Sequence, residues 1–72
     1  MVEAPSEYEM AQELVPVARF EGLREAQENA LVVLAMNLDC LITVVEGGYV
    51  IHGEEAFVEA IREEFLLYAE EQ

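Results

Sequence analysis

Cys40-Leu41-Ile42-Thr43-Val44-Val45-Glu46-Gly47-Gly48-Tyr49-Val50-Ile51-His52 is the stretch on which the fold turns. Two runs rich in β-branched and aromatic residues flank a pair of glycines. That pattern predicts a tight hairpin turning at Gly47-Gly48. The expected register sets Val44 opposite Ile51 and Val45 opposite Val50. Alternation puts Cys40, Ile42 and Val44 on one face of the sheet and His52 on the other.

Upstream, Leu23, Ala26, Ala30, Val33 and Leu34 recur at helical spacing, which predicts a helix over residues 23–36. Its second half is apolar nearly all round, so heavy burial is expected. Asn37 tolerates a left-handed backbone and is a natural stop. Before the helix, Val15-Pro16-Val17-Ala18-Arg19-Phe20 reads as a short strand ended by Glu21-Gly22. Pro16 has no N–H to give a ladder, so this strand belongs at an edge. Downstream, Gly53 is expected to open a last helix, with Glu54 and Glu55 in its first turn. Phe57, Val58, Ile61, Phe65, Tyr68 and Ala69 form one stripe of that helix.

The reading is therefore a tail over residues 1–13 and one α+β domain over residues 14–72. In the tail, Ser6 and Glu9 match a capping box, so a short helix over residues 7–13 is one option and a frayed terminus the other. The domain order is β-α-β-β-α: a three-stranded sheet with both helices on one face, ferredoxin-like but lacking the last strand. Right-handed crossover sends the first helix to one side. The preferred strand order is 1-3-2, with 1-2-3 as the alternative.

Charge narrows the function classes. The chain has 72 residues, 16 acids and three arginines (Arg19, Arg24, Arg62), for a net charge of −13. Phosphate backbones and anionic lipid both demand clustered Lys and Arg, so neither nucleic acid nor an anionic membrane surface is an expected partner. One cysteine, Cys40, fits a reducing compartment, and a cytoplasmic location is expected. No leader pattern is visible at the start. The longest apolar run, residues 30–36, is far short of the roughly 20 residues a membrane helix needs.

The reactive inventory is one Ser (Ser6), one Thr (Thr43), one His (His52) and one Cys (Cys40). Ser6 lies in the tail, without the rigid support a nucleophile needs. Cys40 and His52 fall on opposite faces, which argues against a Cys-His dyad. His52 lacks companions for a metal site. Adjacent pairs such as Glu54/Glu55 and Glu63/Glu64 diverge on a helix and do not converge for acid–base work. Gly47-Gly48 matches no phosphate-binding motif. The expectation is a chain with no catalytic residues, no metal and no cofactor.

The second face of the sheet is the more informative feature. With Ile42, Val44, Tyr49, Ile51, Ala18 and Phe20 toward the helices, Val17, Leu41, Val45 and Val50 face away, together with Thr43 and His52. An uncovered face normally alternates to polar. An apolar one marks a contact surface, here through a homodimer, unless Tyr8 and Met10 of the tail, with Leu14, fold over it.

From Val15 to Gln72, about four fifths of the chain, the sequence resembles a known pattern. The residues are Val17-Ala18-Arg19-Phe20, then Arg24-Glu25-Ala26-Gln27-Glu28-Asn29-Ala30-Leu31, the hairpin from Leu41 to His52, Glu55-Ala56 to Ala60-Ile61, and Leu66-Leu67-Tyr68-Ala69-Glu70-Glu71. They look like the small cytosolic domain that precedes the membrane core in bacterial rhomboid-family intramembrane proteases. The departure is Asn37-Leu38-Asp39, where such domains often carry Gly. The resemblance implies an accessory domain beside a transmembrane region. It transfers no catalytic residue, because rhomboid Ser and His lie in membrane helices. A similar pattern occurs in small free-standing signalling proteins.

Overall fold

The computed structural model describes residues 13–71. In chain order they form β1 (Leu14–Phe20), α1 (Leu23–Ala35), β2 (Cys40–Val45), β3 (Gly48–Glu54), a 3-10 turn (Glu55–Phe57) and α2 (Val58–Glu70). The helix suggested over residues 7–13 falls almost wholly outside this range. The sheet order is β1-β3-β2, so the split β-α-β arrangement is the one adopted. β3 lies at the centre and runs antiparallel to both neighbours.

α1 forms because residues 23–35 lack Gly and Pro and repeat small or branched apolar side chains at helical spacing. It ends where expected, at Asn37 with φ +67°. The Asn37 and Leu38 N–H groups return to the Leu34 and Val33 carbonyls and satisfy the last turn. Ala26, Ala30 and Val33 are buried, and the alanines let the helix lie close on the sheet. The second half is not buried all round, however. Leu31 is 63% exposed and Leu34 53%. A helix on one side of a single sheet has only one face to bury, whatever its composition.

The core consists of Val17, Ala30, Val33, Ile51, Ile61 and Phe65. Phe20 packs edge-on against Phe65, with ring centroids 5.9 Å apart. Ala18, Ile51 and Ile42 align across the three strands on the helix side, as do Phe20, Tyr49 and Val44.

Three further expectations are corrected. The hairpin register is Val44 opposite Tyr49 and Val45 opposite Gly48, with Ile42 opposite Ile51 and Thr43 opposite Val50. Glu46 and Gly47 therefore make the turn, and Gly48 belongs to the strand. Only Gly47 has positive φ, +80°, which is the sign pattern of a type II turn. The shift is two residues, so every side chain keeps its expected face.

Next, Gly53 and Glu54 belong to β3, and the last helix starts later. Gly53 pairs with Cys40 on one side and Val15 on the other, and strand pairing on both flanks outlasts the local helical bias. The Glu55 N–H, bonded to the Glu13 carbonyl, closes the sheet before the chain turns. Ile61 and Phe65 of α2 are buried, whereas Phe57 in the 3-10 turn and Ala69, at the ends of the expected stripe, are exposed.

Finally, Val17 is not on the open face: it is 5% exposed, inside the core. The β1–β3 register skips one residue between Pro16 and Ala18, a β-bulge. Pro16 cannot donate to the ladder, and the bulge absorbs the defect by turning Val17 inward. Gly53 leaves the room, since a Cβ there would lie 3.2 Å from Val17 Cγ2 and 2.8 Å from Ile61 Cδ1. Arg62 Nε donates to the Val17 carbonyl at 3.1 Å and ties α2 to the bulge.

Candidate interaction face

The face away from the helices is assembled row by row. Pro16, His52 and Leu41 align across β1, β3 and β2, followed by Arg19, Val50 and Thr43, and then Gly48 and Val45. Five of the six residues expected here are therefore brought together: Leu41, Thr43, Val45, Val50 and His52. Val17 is absent, and Pro16 and Arg19 stand on the face in its strand. A proline inside a strand pattern is itself a bulge signal, and it was the clue to this exchange. Leu41 is 52% exposed, while Thr43, Val45, Val50 and His52 are half-buried. Neither helix covers any of them, because both pack on the other side.

Two polar devices interrupt the apolar surface. Thr43 Oγ1 and His52 Nε2 are 3.0 Å apart, a diagonal pair across β2 and β3. Each satisfies the other at half-burial, where a lone polar group would be costly. Arg19 Nη2 donates to the Glu46 carbonyl at 2.9 Å, so the side chain crosses Gly48 and pins the hairpin tip to β1. Among the described residues no carboxylate hydrogen-bonds the imidazole, and Cys40 lies on the opposite face of the sheet. The face is thus largely apolar, with Arg19 as its positive corner.

Cys40 is half-buried, with Sγ 3.8 Å from the Ala30 carbonyl. Burial, and then the neighbouring Asp39 carboxylate, push its thiol pKa up from the ordinary value. A raised thiol pKa means the folded chain keeps its proton where the unfolded chain has lost it. Stability from this source is full below the unfolded pKa and falls as pH climbs through the alkaline window above it. The thiolate is also the reactive form. Cys40 is thus expected to alkylate more slowly in the native chain than in urea at the same mildly alkaline pH. Equal rates by mass spectrometry would refute the shift.

A groove of about 700 Å³ opens on the helix side, between α1 and α2 over β1. Phe20, Phe65 and Tyr68 line it, with Glu25 and Glu28 at its α1 wall. Sequence periodicity did not reveal it, because it arises from how far the two helices stand apart. Buried Asn29 lines it too, its Nδ2 donating to the Glu25 carbonyl at 2.9 Å.

Comparison with family models, curated proteins and solved structures found no match to this chain. No helix of the described residues is long and apolar enough to cross a membrane.

Proposed function

We propose that this chain is a non-catalytic interaction domain that works through the open face of its sheet. The observation that carries the reading is the apolar surface of Leu41, Val45 and Val50, left uncovered by both helices. The separation of Cys40 from His52 on opposite faces supports a role without catalysis. The resemblance to the rhomboid cytosolic domain narrows the role to an accessory one, beside a membrane-embedded protease on its cytoplasmic side. A free-standing signalling or interaction protein of the same fold is the second reading. An open reading frame that runs past Gln72 into several apolar stretches of membrane length favours the first; a stop codon there favours the second.

The nearest available partner for an apolar face is the same face of another copy, related by a two-fold axis. Two chains of −13 repel, so the dimer is expected to strengthen as salt screens the acids. Val45→Lys or Val50→Lys should return it to monomer without unfolding it. Sedimentation across concentration and salt is the measurement. A chain that stays monomeric at high concentration in ~0.5 M salt, where the Debye length is about 4–5 Å, refutes self-pairing.

A further inference from the structure

The two edges of the sheet are unlike. β1 carries Pro16, a bulge and the exposed Arg19, each of which hinders an added strand. β2 carries no such block. Cys40-Leu41-Ile42-Thr43-Val44-Val45 is uncharged, has neither Gly nor Pro, and keeps an unbroken register with β3. Its outer backbone groups have no partner among the described residues.

Apolar side chains crowd this edge. α1 lies over β2 and β3, and Glu25, Glu28 and Asn29 mark the flank that faces α2 across the groove. At 100° per residue, Leu23, Gln27 and Leu34 fall on the opposite flank, toward the outer side of β2, and Leu31 turns further out. Val44 points to the helix side yet is 79% exposed, because α1 does not reach over it. Leu23, Leu34, Val44 and, further out, Leu31 are exposed on the helix side and Leu41 on the other, an apolar strip flanking the strand with no acid among these residues.

Acids bracket the strip instead. Glu54 Oε2 accepts the Asp39 N–H at 2.9 Å, which holds two carboxylates at the start of β2. Glu46, exposed, follows its end.

We infer that the β2 edge takes up an extended partner segment as a fourth strand, apolar in its middle and carrying Lys or Arg at both ends. Main-chain hydrogen bonds supply the affinity, and the strip covers the incoming apolar side chains. The carboxylates at either end select opposite charge. A second β2 meets the reverse condition. Antiparallel pairing sets Glu46 against the acids at the start of the other copy's strand, and parallel pairing sets like against like. Residues 1–12 bring Glu3, Glu7 and Glu9 with no Lys or Arg, and meet the same repulsion. The inference rests on the reading of this chain as an interaction domain, but it uses the strand edge, which shares only β2 with the open face.

The test titrates the full chain with a labelled seven-residue peptide, Lys-Val-Thr-Val-Thr-Val-Lys, capped at both ends. Binding should weaken as salt rises, and a Glu-ended version should bind roughly tenfold more weakly. Amide shifts should centre on residues 40–45. Val44→Lys should abolish most of the binding, and Asp39→Asn with Glu46→Gln should narrow the difference between the two peptides. Equal binding of both peptides, or shifts centred on Val50 and His52, overturns the inference. So do amides of residues 40–45 already protected from exchange in the free chain, which would show the edge to be covered. Self-association that grows with salt and is lost with Val44→Lys would assign the edge to a second copy and likewise overturn it. Self-association lost with Val50→Lys alone concerns the open face, so either reading can fail without the other.

Discussion

Ile51→Ala is expected to cost about 2–5 kcal/mol of folding stability, the usual range for emptying a fully buried aliphatic site. Ile51 sits at the middle of the central strand with no solvent exposure. Ala18 and Ile42 flank it across the sheet, and it belongs to the cluster that joins Val33 of α1 to Ile61 of α2. Both helices and both edge strands thus meet near this one side chain. Strand pairing holds the surrounding backbone, so the site is poorly able to collapse. A domain of this size has roughly 4–11 kcal/mol in total, at the usual stability per residue. The loss therefore takes a large share of the margin. A urea titration should show a much lower midpoint at an unchanged slope. A change below about 0.5 kcal/mol, the usual range for a surface substitution, would mean that Ile51 is not buried as described.

Gly48→Ala is the second large effect, expected at about 1–3 kcal/mol from overpacking. A Cβ at Gly48 would stand 2.5 Å from the Phe20 carbonyl oxygen and 3.4 Å from its carbon. Both are backbone atoms, so no rotamer change relieves the clash, and β1 must part from β3 at its tip. Arg19, which crosses the same point to reach Glu46, would be displaced with it. Gly47 is the control. A Cβ there meets only the end of the flexible Arg19 side chain, at 2.9 Å. Its φ of +80° is one that Asn tolerates better than most residues. Gly47→Asn should therefore cost less than Gly48→Ala in the same denaturant series. The reverse order would place the turn at Gly47-Gly48, as the sequence pattern first suggests.

That contrast shows how far the hairpin was legible. Two β-rich runs around adjacent glycines announce a turn, but both glycines are equally apt for it. The choice between them depends on which one β1 approaches closely, and that is a contact with Phe20, far away in the chain. The faces survived the error because side chains alternate with a period of two. A two-residue slip changes every partner and no orientation. This is why Leu41, Thr43, Val45, Val50 and His52 share a face as alternation predicts. In β1 the bulge inserts a single residue, which does reverse orientation, so Val17 moved from the expected face into the core.

The strip above β2 was hidden for a different reason. Leu31 and Leu34 read as core residues because they are apolar and lie in a helix with a buried face. Exposure depends on how many layers surround that helix, and a helical pattern does not report it. The inter-helix groove is likewise a matter of spacing between elements.

The sequence by itself determined the element order β-α-β-β-α, the left-handed stop at Asn37, the facing of the hairpin residues and the strongly acidic character. All of these follow from local backbone preference, short-period patterning or simple counting. Only the tertiary structure decided between strand orders 1-3-2 and 1-2-3, placed the turn at Glu46-Gly47, drew Val17 inward, and left β2 as the unguarded edge among the described residues. Those outcomes come from packing and strand pairing between residues distant in the chain. Their energies depend on which surfaces meet, and no window of sequence contains both partners.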